Sequence, residues 1–362
     1  MAGPVDDALA AHADTVRRAA EFVYAHPETA HLEHECAGYL AGTLEERGFA
    51  VERGVAGMET AFLAASPGEG QRVGLVAVYD AVATLDAAGE PVAVHSCGHG
   101  SIAGGVVGAA LAAADLGRAV TVFGLPADEL HAGGVRRHGG GKERSAAAGL
   151  WDGIDAALYA HPEFIDTVSQ ASLWGRHLEL VVEGRRSLRA GGEHVALDAL
   201  AGAVALGRRQ PGEVMLERAV LDGDVEEGAR MVLRAGFFVF AADEGSLEER
   251  TQQLRSSVEG GQWSVTRTIP AIVPDDRVTA AVAAAFDAAG RHFVADPPPL
   301  PFATDFGAIS RVVPSALIGI GREGGWAFHT DEGAAQFTGP DGIEAALEVA
   351  TVLAHAVAQL GG

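Results

Sequence analysis

Imidazole, thiol and carboxylate side chains in this sequence stand where apolar runs end. Asp80 closes RVGLVAVYD (72–80), Asp128 and Glu129 close AVTVFGLPADE (119–129), and His161 lies near the end of DAALYAHPE (155–163). Cys97 and His99 share the segment HSCGH ahead of a small-residue stretch, and His329 follows the last apolar run in WAFHTDE. These side-chain types suit zinc, with manganese or cobalt as alternatives. Cys97, His99, Glu129, His161 and His329 are therefore candidate metal ligands. They are scattered and lack a CxxC spacing, which favours a catalytic centre over a structural zinc knuckle. A metal centre of this kind polarises a carbonyl and lowers the pKa of water. A carboxylate within reach then serves as general base and acid.

Each residue alone has a plainer reading. A lone buried cysteine is usually an inert small hydrophobe, and Cys36, inside an amphipathic stretch, keeps that reading. A single histidine at a strand end is commonly a satisfied hydrogen-bonding group, and an Asp-Glu pair a cap or turn. Recurrence at one end of several runs is what overturns these readings.

Such groups need a scaffold that converges them. Residues 6–24 and 31–47 carry apolar positions at helical spacing, with Gly48 as a stop. The runs 72–80, 119–129, 155–163 and 314–321 are continuous enough to be strands buried on both faces. Residues 101–117 form a small-residue helix able to pack closely on a sheet, and 342–360 a final helix. This alternation predicts an α/β fold, whose ligands sit at the carboxyl ends of its strands. The middle of the chain differs. Runs at 177–184, 213–221, 230–241 and 262–269 read as strands, and 196–209 and 246–260 as helices, a β-α-β-β-α-β order that is ferredoxin-like. The expectation is a catalytic domain from 1–173 and 270–362, with an inserted domain at 174–269.

Bulk properties bound the rest. The 362 residues suit two domains, and 48% hydrophobic with 21% charged residues fits a globular chain. A net charge of −23 argues against nucleic acid or an anionic membrane as partner and by itself identifies no ligand. Two cysteines and an N-terminus without an apolar signal core point to the cytoplasm. The longest apolar stretches, such as Val106 to Ala114, read as too short to span a bilayer. Lys142, the single lysine beside many arginines, reads as codon bias without functional weight. The open sheet edges of the insert predict a homodimer.

The motifs together resemble the metallopeptidase and amidohydrolase family of aminoacylases, hippurate hydrolase and indole-acetyl-amino-acid hydrolases. The resemblance is nearest to its branch of p-aminobenzoyl-glutamate hydrolase and β-alanyl dipeptidases. It rests on AHPETAHLEHE (25–35), VYD (78–80), HSCGHGS (95–101), GLPADE (124–129), GLWDGIDAALYAHPE (149–163), TDFGAISRVVPS (304–315) and FHTDE (328–332). It implies a zinc-peptidase-like α/β/α sandwich with an inserted ferredoxin-like lid and dimerisation domain, and two divalent metal ions. Cys97 would bridge them, His99 and His161 would complete one site, and Glu129 and His329 the other. Asp128 takes the position of the general base, and Asp80 orients a ligand from behind. Asp305 either does the same, meets substrate, or is a turn residue.

Three departures from the family pattern carry expectations. Asp128 stands where the family has Glu, one methylene shorter. Gly100 replaces Asn or Asp and would enlarge the pocket. The lid positions that carry His, Asn and Arg in the family fall at Leu188, Glu227 and Phe240. His194, His131 and His138 are candidate replacements, with a solvated loop as the alternative for each. The substrate expected is a small amide or related C–N compound that is neutral, aromatic or otherwise specialised. The alternative is a repurposed member that catalyses a different step or only binds.

Overall fold

The computed structural model describes residues 3–86, 88–188, 195–209, 212–224, 226–258 and 260–361. His194 lies outside them. In chain order the elements begin with α1 (Pro4–Ala25), α2 (His34–Glu45), β1 (Ala50–Arg53), β2 (Phe62–Ala65), β3 (Glu69–Ala77), β4 (Val82–Leu85) and β5 (Pro91–Val94). They continue with α3 (His99–Asp115), β6 (Arg118–Gly124), α4 (Gly133–His138), α5 (Gly141–Ala147), β7 (Ala156–Glu163), β8 (Trp174–Arg185), α6 (Val195–Arg209) and β9 (Val214–Gly223). Then come β10 (Arg230–Ala241), α7 (Glu244–Ser256), β11 (Gln262–Ile269), α8 (Asp276–Ala288), α9 (Phe306–Ile309), β12 (Ser315–Gly321), α10 (Asp331–Thr338) and α11 (Pro340–Leu360).

The chain divides into two compact units. The first holds Met1–Ala171, Val273–Pro298 and Ala308–Gly362, and the second Ser172–Ile272 with Pro299–Gly307. Pro299–Gly307 thus joins the second unit, a return that a boundary at 270–362 did not include. It is tied there by Leu173 N–H donating to the Phe302 carbonyl at 3.0 Å and by Asp305 facing Arg267 at 4.0 Å.

In the first unit a six-stranded sheet runs β1-β2-β6-β3-β7-β12. β6, β3, β7 and β12 are parallel, and β1 and β2 form an antiparallel edge. The parallel strands are the four apolar runs, and β12 is buried at every position. Because β3, β6 and β7 are neighbours in register, the residues at their carboxyl ends come together, as the α/β reading requires. Asp80 lies just past β3, Asp128 and Glu129 just past β6, and His161 near the end of β7.

The small-residue helix α3 is buried from His99 to Ala113. It packs against α1 and α11 as well as the sheet. A Cβ on Gly105 would lie 2.3 Å from Val349 Cγ1, one on Gly108 2.2 Å from Val16 Cγ2, and one on Gly104 2.7 Å from the Val16 carbonyl. Larger side chains would force the helices apart in a close-packed interior. This packing matters because α3 begins at His99. α11 is itself long and apolar enough to cross a membrane, beyond the stretch around Val106. Most of it is buried inside the protein, with Ala345, Ala346 and Ala350 in a cluster with Val16, Ala20 and Phe337, so it serves as a core helix.

The second unit is a four-stranded antiparallel sheet in the order β11-β8-β10-β9. With α6 and α7 as its connections, this is the ferredoxin-like arrangement expected from the element order. One sheet face supplies Leu178, Leu180, Val182, Leu233, Phe237 and Val239 to a core shared with Leu247 and Leu254 of α7. The inward alternation of β8 produces that face.

Candidate metal centre

The centre belongs to the first unit and is held by unusual backbone. Gly98, ahead of α3, has φ +89°, and a Cβ there would lie 2.7 Å from the Phe337 ring, so only glycine fits between Cys97 and His99. Ala127 and His329 are non-glycine residues at φ 65° and 59°. Such conformations persist only where surroundings over-determine them. The Ala127 N–H donates to Glu33 Oε1 at 2.9 Å, and Glu33 Oε2 accepts from Thr60 Oγ1 at 2.9 Å. Glu33 is fully buried, and burial together with the charge of Asp80 raises its pKa to about 8. The His329 N–H donates to the Ser96 carbonyl at 2.9 Å.

Two sets of ligand atoms converge. Those of Cys97, His99 and His161 lie within 4.8 Å of one another, and so do those of Cys97, Glu129 and His329. Cys97 is common to both. Its Sγ is 3.7 Å from His161 Nε2, and His329 Nε2 is 3.7 Å from Glu129 Oε1. The tautomers follow from the second ring nitrogens. His99 Nδ1–H donates to the Asp80 carbonyl at 2.6 Å, and His161 Nδ1–H donates to the Pro162 carbonyl at 2.6 Å. Both Nε2 atoms therefore face the centre, where a bound cation would take the lone pair in place of a proton. Asp80 Oδ2 accepts the Glu129 N–H at 3.0 Å, so this one residue orients a ligand from each set.

His99 Nε2 and Glu129 Oε1 are buried without a hydrogen-bond partner among the described residues. Buried polar atoms of this kind need an explanation, and a cation supplies one. The electrostatics agree. Burial raises the Cys97 thiol to about 12 and Glu129 to about 7, and lowers His161 to about 4. Burial also opposes charge on His99, yet Asp80 and Asp128 outweigh it and raise its pKa well above the usual range. The pocket gathers carboxylates and a thiol in need of positive charge, which fits divalent metal.

Asp128 lies beside the ligands. Its Oδ2 is 3.3 Å from His99 Nε2 and accepts from the Tyr159 hydroxyl at 3.1 Å, and its Oδ1 accepts from Lys142 Nζ. Burial resists its ionisation, but the Lys142 ammonium and the His99 contact hold its pKa well below the usual carboxylate range. The reading of Lys142 as mere codon bias is corrected here, since its side chain is 1% exposed and meets Asp128. Its uniqueness among the basic residues was the available signal. Tyr159 was hidden inside an apolar strand, and Glu33 inside an N-terminal helix-like stretch.

Other expectations fall out differently. A Cβ on Gly100 would lie 2.7 Å from the Tyr24 ring, so the missing side chain is replaced by Tyr24 and the pocket is not enlarged. The Tyr24 hydroxyl accepts the Ser101 N–H at 2.9 Å, which fixes the first turn of α3. His131 is exposed, and burial, with the charge of His99 behind it, lowers the pKa of His329. His138 is exposed at the end of α4, edge-on to His31 at 5.7 Å, so it is a solvated residue as the alternative had it, on a helix instead of a loop. Asp305 belongs to the second unit, beside Arg267. In that unit the Leu188 N–H donates to the Glu227 carboxylate, which puts two of the three departed lid positions side by side. Phe240 packs against Phe238 at 4.2 Å. Cys36 is buried, its thiol directed at the His26 carbonyl at 3.3 Å, as the plain reading had it.

Residues 75–358 match the family model described as peptidase family M20/M25/M40. The chain belongs to this family. An M20 relative, one of the subunits of p-aminobenzoyl-glutamate hydrolase from Escherichia coli (strain K12), is 34% identical over 175 residues. That match spans 44% of this chain and only 34% of the relative's length. Among solved structures, a protein from methicillin-resistant Staphylococcus aureus described as an aminohydrolase aligns with TM-score 0.73 at 19% identity, covering 100% of both chains. A Bacillus subtilis protein described as a dinuclear metal binding peptidase of the M20 family aligns with TM-score 0.66 at 16% identity, covering 94% of this chain and 98% of that one. This chain shares the fold of these structures, its own version having a mostly parallel sheet in the first unit and an antiparallel sheet in the second.

Proposed function

We propose that this M20-family chain hydrolyses an amide or related C–N bond of a small molecule at a dinuclear centre held by Cys97, His99, Glu129, His161 and His329. The observation that carries this reading is the pair of ligand sets sharing Cys97, with His99 Nε2 and Glu129 Oε1 lacking a hydrogen-bond partner among the described residues. Bound divalent cations, zinc first and manganese or cobalt next, supply Lewis acidity that polarises a carbonyl and acidifies water. The chain's own residues do the rest. Asp128 Oδ2, on the side of His99, accepts a proton from the attacking water and returns it to the departing amine. Asp80 fixes the His99 ring and the Glu129 backbone, so neither ligand has to reorganise as charge develops.

The family resemblance narrows the substrate, because the positions it assigns to anion recognition, Leu188, Glu227 and Phe240, carry an alkyl group, a carboxylate and a phenyl ring, none of which binds an anion. A neutral or aromatic amide therefore suits this chain better than an N-acyl amino acid with a free carboxylate. The test begins with metal analysis of the purified protein and a panel containing p-aminobenzoyl-glutamate, neutral aromatic amides and acyl amino acids. Expected are two divalent cations per chain, hydrolysis of a neutral amide that stops on chelation, and recovery with zinc or manganese. A well-folded protein that takes up no divalent cation would overturn the proposal.

The assembly we propose is a homodimer in the cytoplasm. The edge strands β9 and β11 of the second unit expose Met215, Val220 and Val265, apolar residues that an unpaired edge normally avoids. Light scattering at micromolar concentration is expected to give twice the chain mass. A monomer mass there excludes the dimer.

A further inference from the structure

We propose that Lys142 is a positioning residue of the reaction centre, its ammonium and the Tyr159 hydroxyl gripping the two oxygens of Asp128 so that the carboxylate stays turned toward His99. The inference rests on Asp128 being the group that moves the proton. Four observations support it.

The first is residue choice. The chain has 26 basic residues, and Lys142 is its single lysine, so arginine serves wherever a surface cation is needed. The exception is buried. An ammonium is a compact point charge, whereas a guanidinium is a wide planar fork that needs several acceptors.

The second is contact. Lys142 Nζ meets Asp128 Oδ1, and the Tyr159 hydroxyl meets Oδ2 at 3.1 Å. The ammonium also stands 5.1 Å from the centre of the Tyr159 ring, which favours the same placement. Both oxygens of Asp128 are therefore engaged, while Oδ2 also lies 3.3 Å from His99 Nε2.

The third is anchoring. The Gly141 N–H donates to the Pro126 carbonyl at 3.0 Å, and a Cβ on Gly141 would lie 2.2 Å from that oxygen. α5 is thereby pinned to the loop that carries Asp128. Ser145 Oγ donates to the Lys142 carbonyl at 2.7 Å and accepts from Trp151 Nε1 at 2.9 Å, which locks the turn of helix behind the lysine.

The fourth is energetic. A buried ion pair is commonly no more stabilising than a hydrophobic pair of similar volume. Fold stability alone gives little reason to keep a lysine here. A carboxylate that must hold one orientation beside a metal centre gives a direct one.

The single lysine makes the test clean. With 15N,13C-labelled lysine in the full-length protein, the side chain gives one ammonium resonance. It is expected to exchange slowly with water and to shift in Asp128→Asn. Kinetics on the neutral aromatic amide of the panel, with zinc loaded, supply the second readout. Lys142→Met should lose about a hundredfold in kcat, within the range of a disturbed general base, with KM and zinc content unchanged. Lys142→Arg should recover less than about a tenth of the wild-type rate, because the fork does not fit a point-charge site. Added ethylammonium should partly rescue Lys142→Met.

Wild-type kcat in Lys142→Met overturns the proposal. So does a loss that merely tracks lowered thermal stability or zinc content and that ethylammonium leaves untouched, the signature of a purely structural pair. If the wild type hydrolyses no amide, the proposed function fails separately. The resonance still decides the grip, and one that ignores Asp128→Asn, or exchanges as freely as an exposed lysine, overturns it.

Discussion

Cys97→Ala is expected to strip the protein of both cations and to lower kcat/KM by at least about a thousandfold, the upper end for losing one stabiliser of the developing charge. The expectation is this large because Cys97 is the one residue shared by the two ligand sets. Removing His161 or His329 leaves one set intact. Removing Cys97 leaves neither. The thiol is also the group for which the centre does most, since burial raises it to about 12 and only nearby positive charge makes a thiolate there at neutral pH. The substitution deletes a single sulfur, so the fold should survive at a cost of about 1 kcal/mol or less. Metal analysis and a thermal melt on the same preparation check both halves. Cys36→Ala is the matched control, because that thiol is buried elsewhere against the His26 carbonyl. Retention of both cations by Cys97→Ala would show that the shared sulfur is not a ligand.

The second expected result is Asp128→Asn, with kcat reduced by about a hundred- to ten-thousandfold and the cations retained. An amide keeps the shape of the carboxylate but cannot take a proton from water. It is not one of the converging ligands, so metal content should not change. Stability should change, because Lys142 loses its anionic partner inside the protein. Breaking a buried pair from one side costs about 3–5 kcal/mol, which a thermal melt will read as a clear drop. The double variant Asp128→Asn, Lys142→Met then separates the two effects. It removes the stranded charge, so the melting temperature should rise again while activity stays lost. Activity that survives Asp128→Asn assigns the proton transfer to another group. Activity that returns in the double variant would mean the single variant was merely unfolded.

Asp128 also shows where the resemblance needed the structure. A shorter carboxylate in place of glutamate raised the question of reach, and sequence comparison alone could not answer it. The answer lies in its neighbours. The Ala127 turn at φ 65°, propped by Glu33, and the grip of Lys142 and Tyr159 set where the carboxylate points. Gly100 teaches the same lesson in reverse. A missing side chain suggested space, and the space is filled by Tyr24, from a helix far earlier in the chain.

The amino-acid order alone determined the ligand types and where along the chain they stand. Apolar runs of strand length ending in Asp80, Glu129 and His161 are local patterns, and parallel strands must bring their carboxyl ends together, so the convergence of these side chains was legible. The β-α-β-β-α-β order of the insert was legible for the same reason, since each element is recognised from its own periodicity. Tertiary structure decided which polar groups face one another across the interior. Lys142 comes from a short helix, Tyr159 from mid-strand and Glu33 from near the amino terminus, and no local pattern distinguishes them from core or surface residues. Their partners are fixed by the close approach of α5 to the loop at Pro126 and by the need of each buried charge for a counterpart. Those two constraints act on the folded chain as a whole.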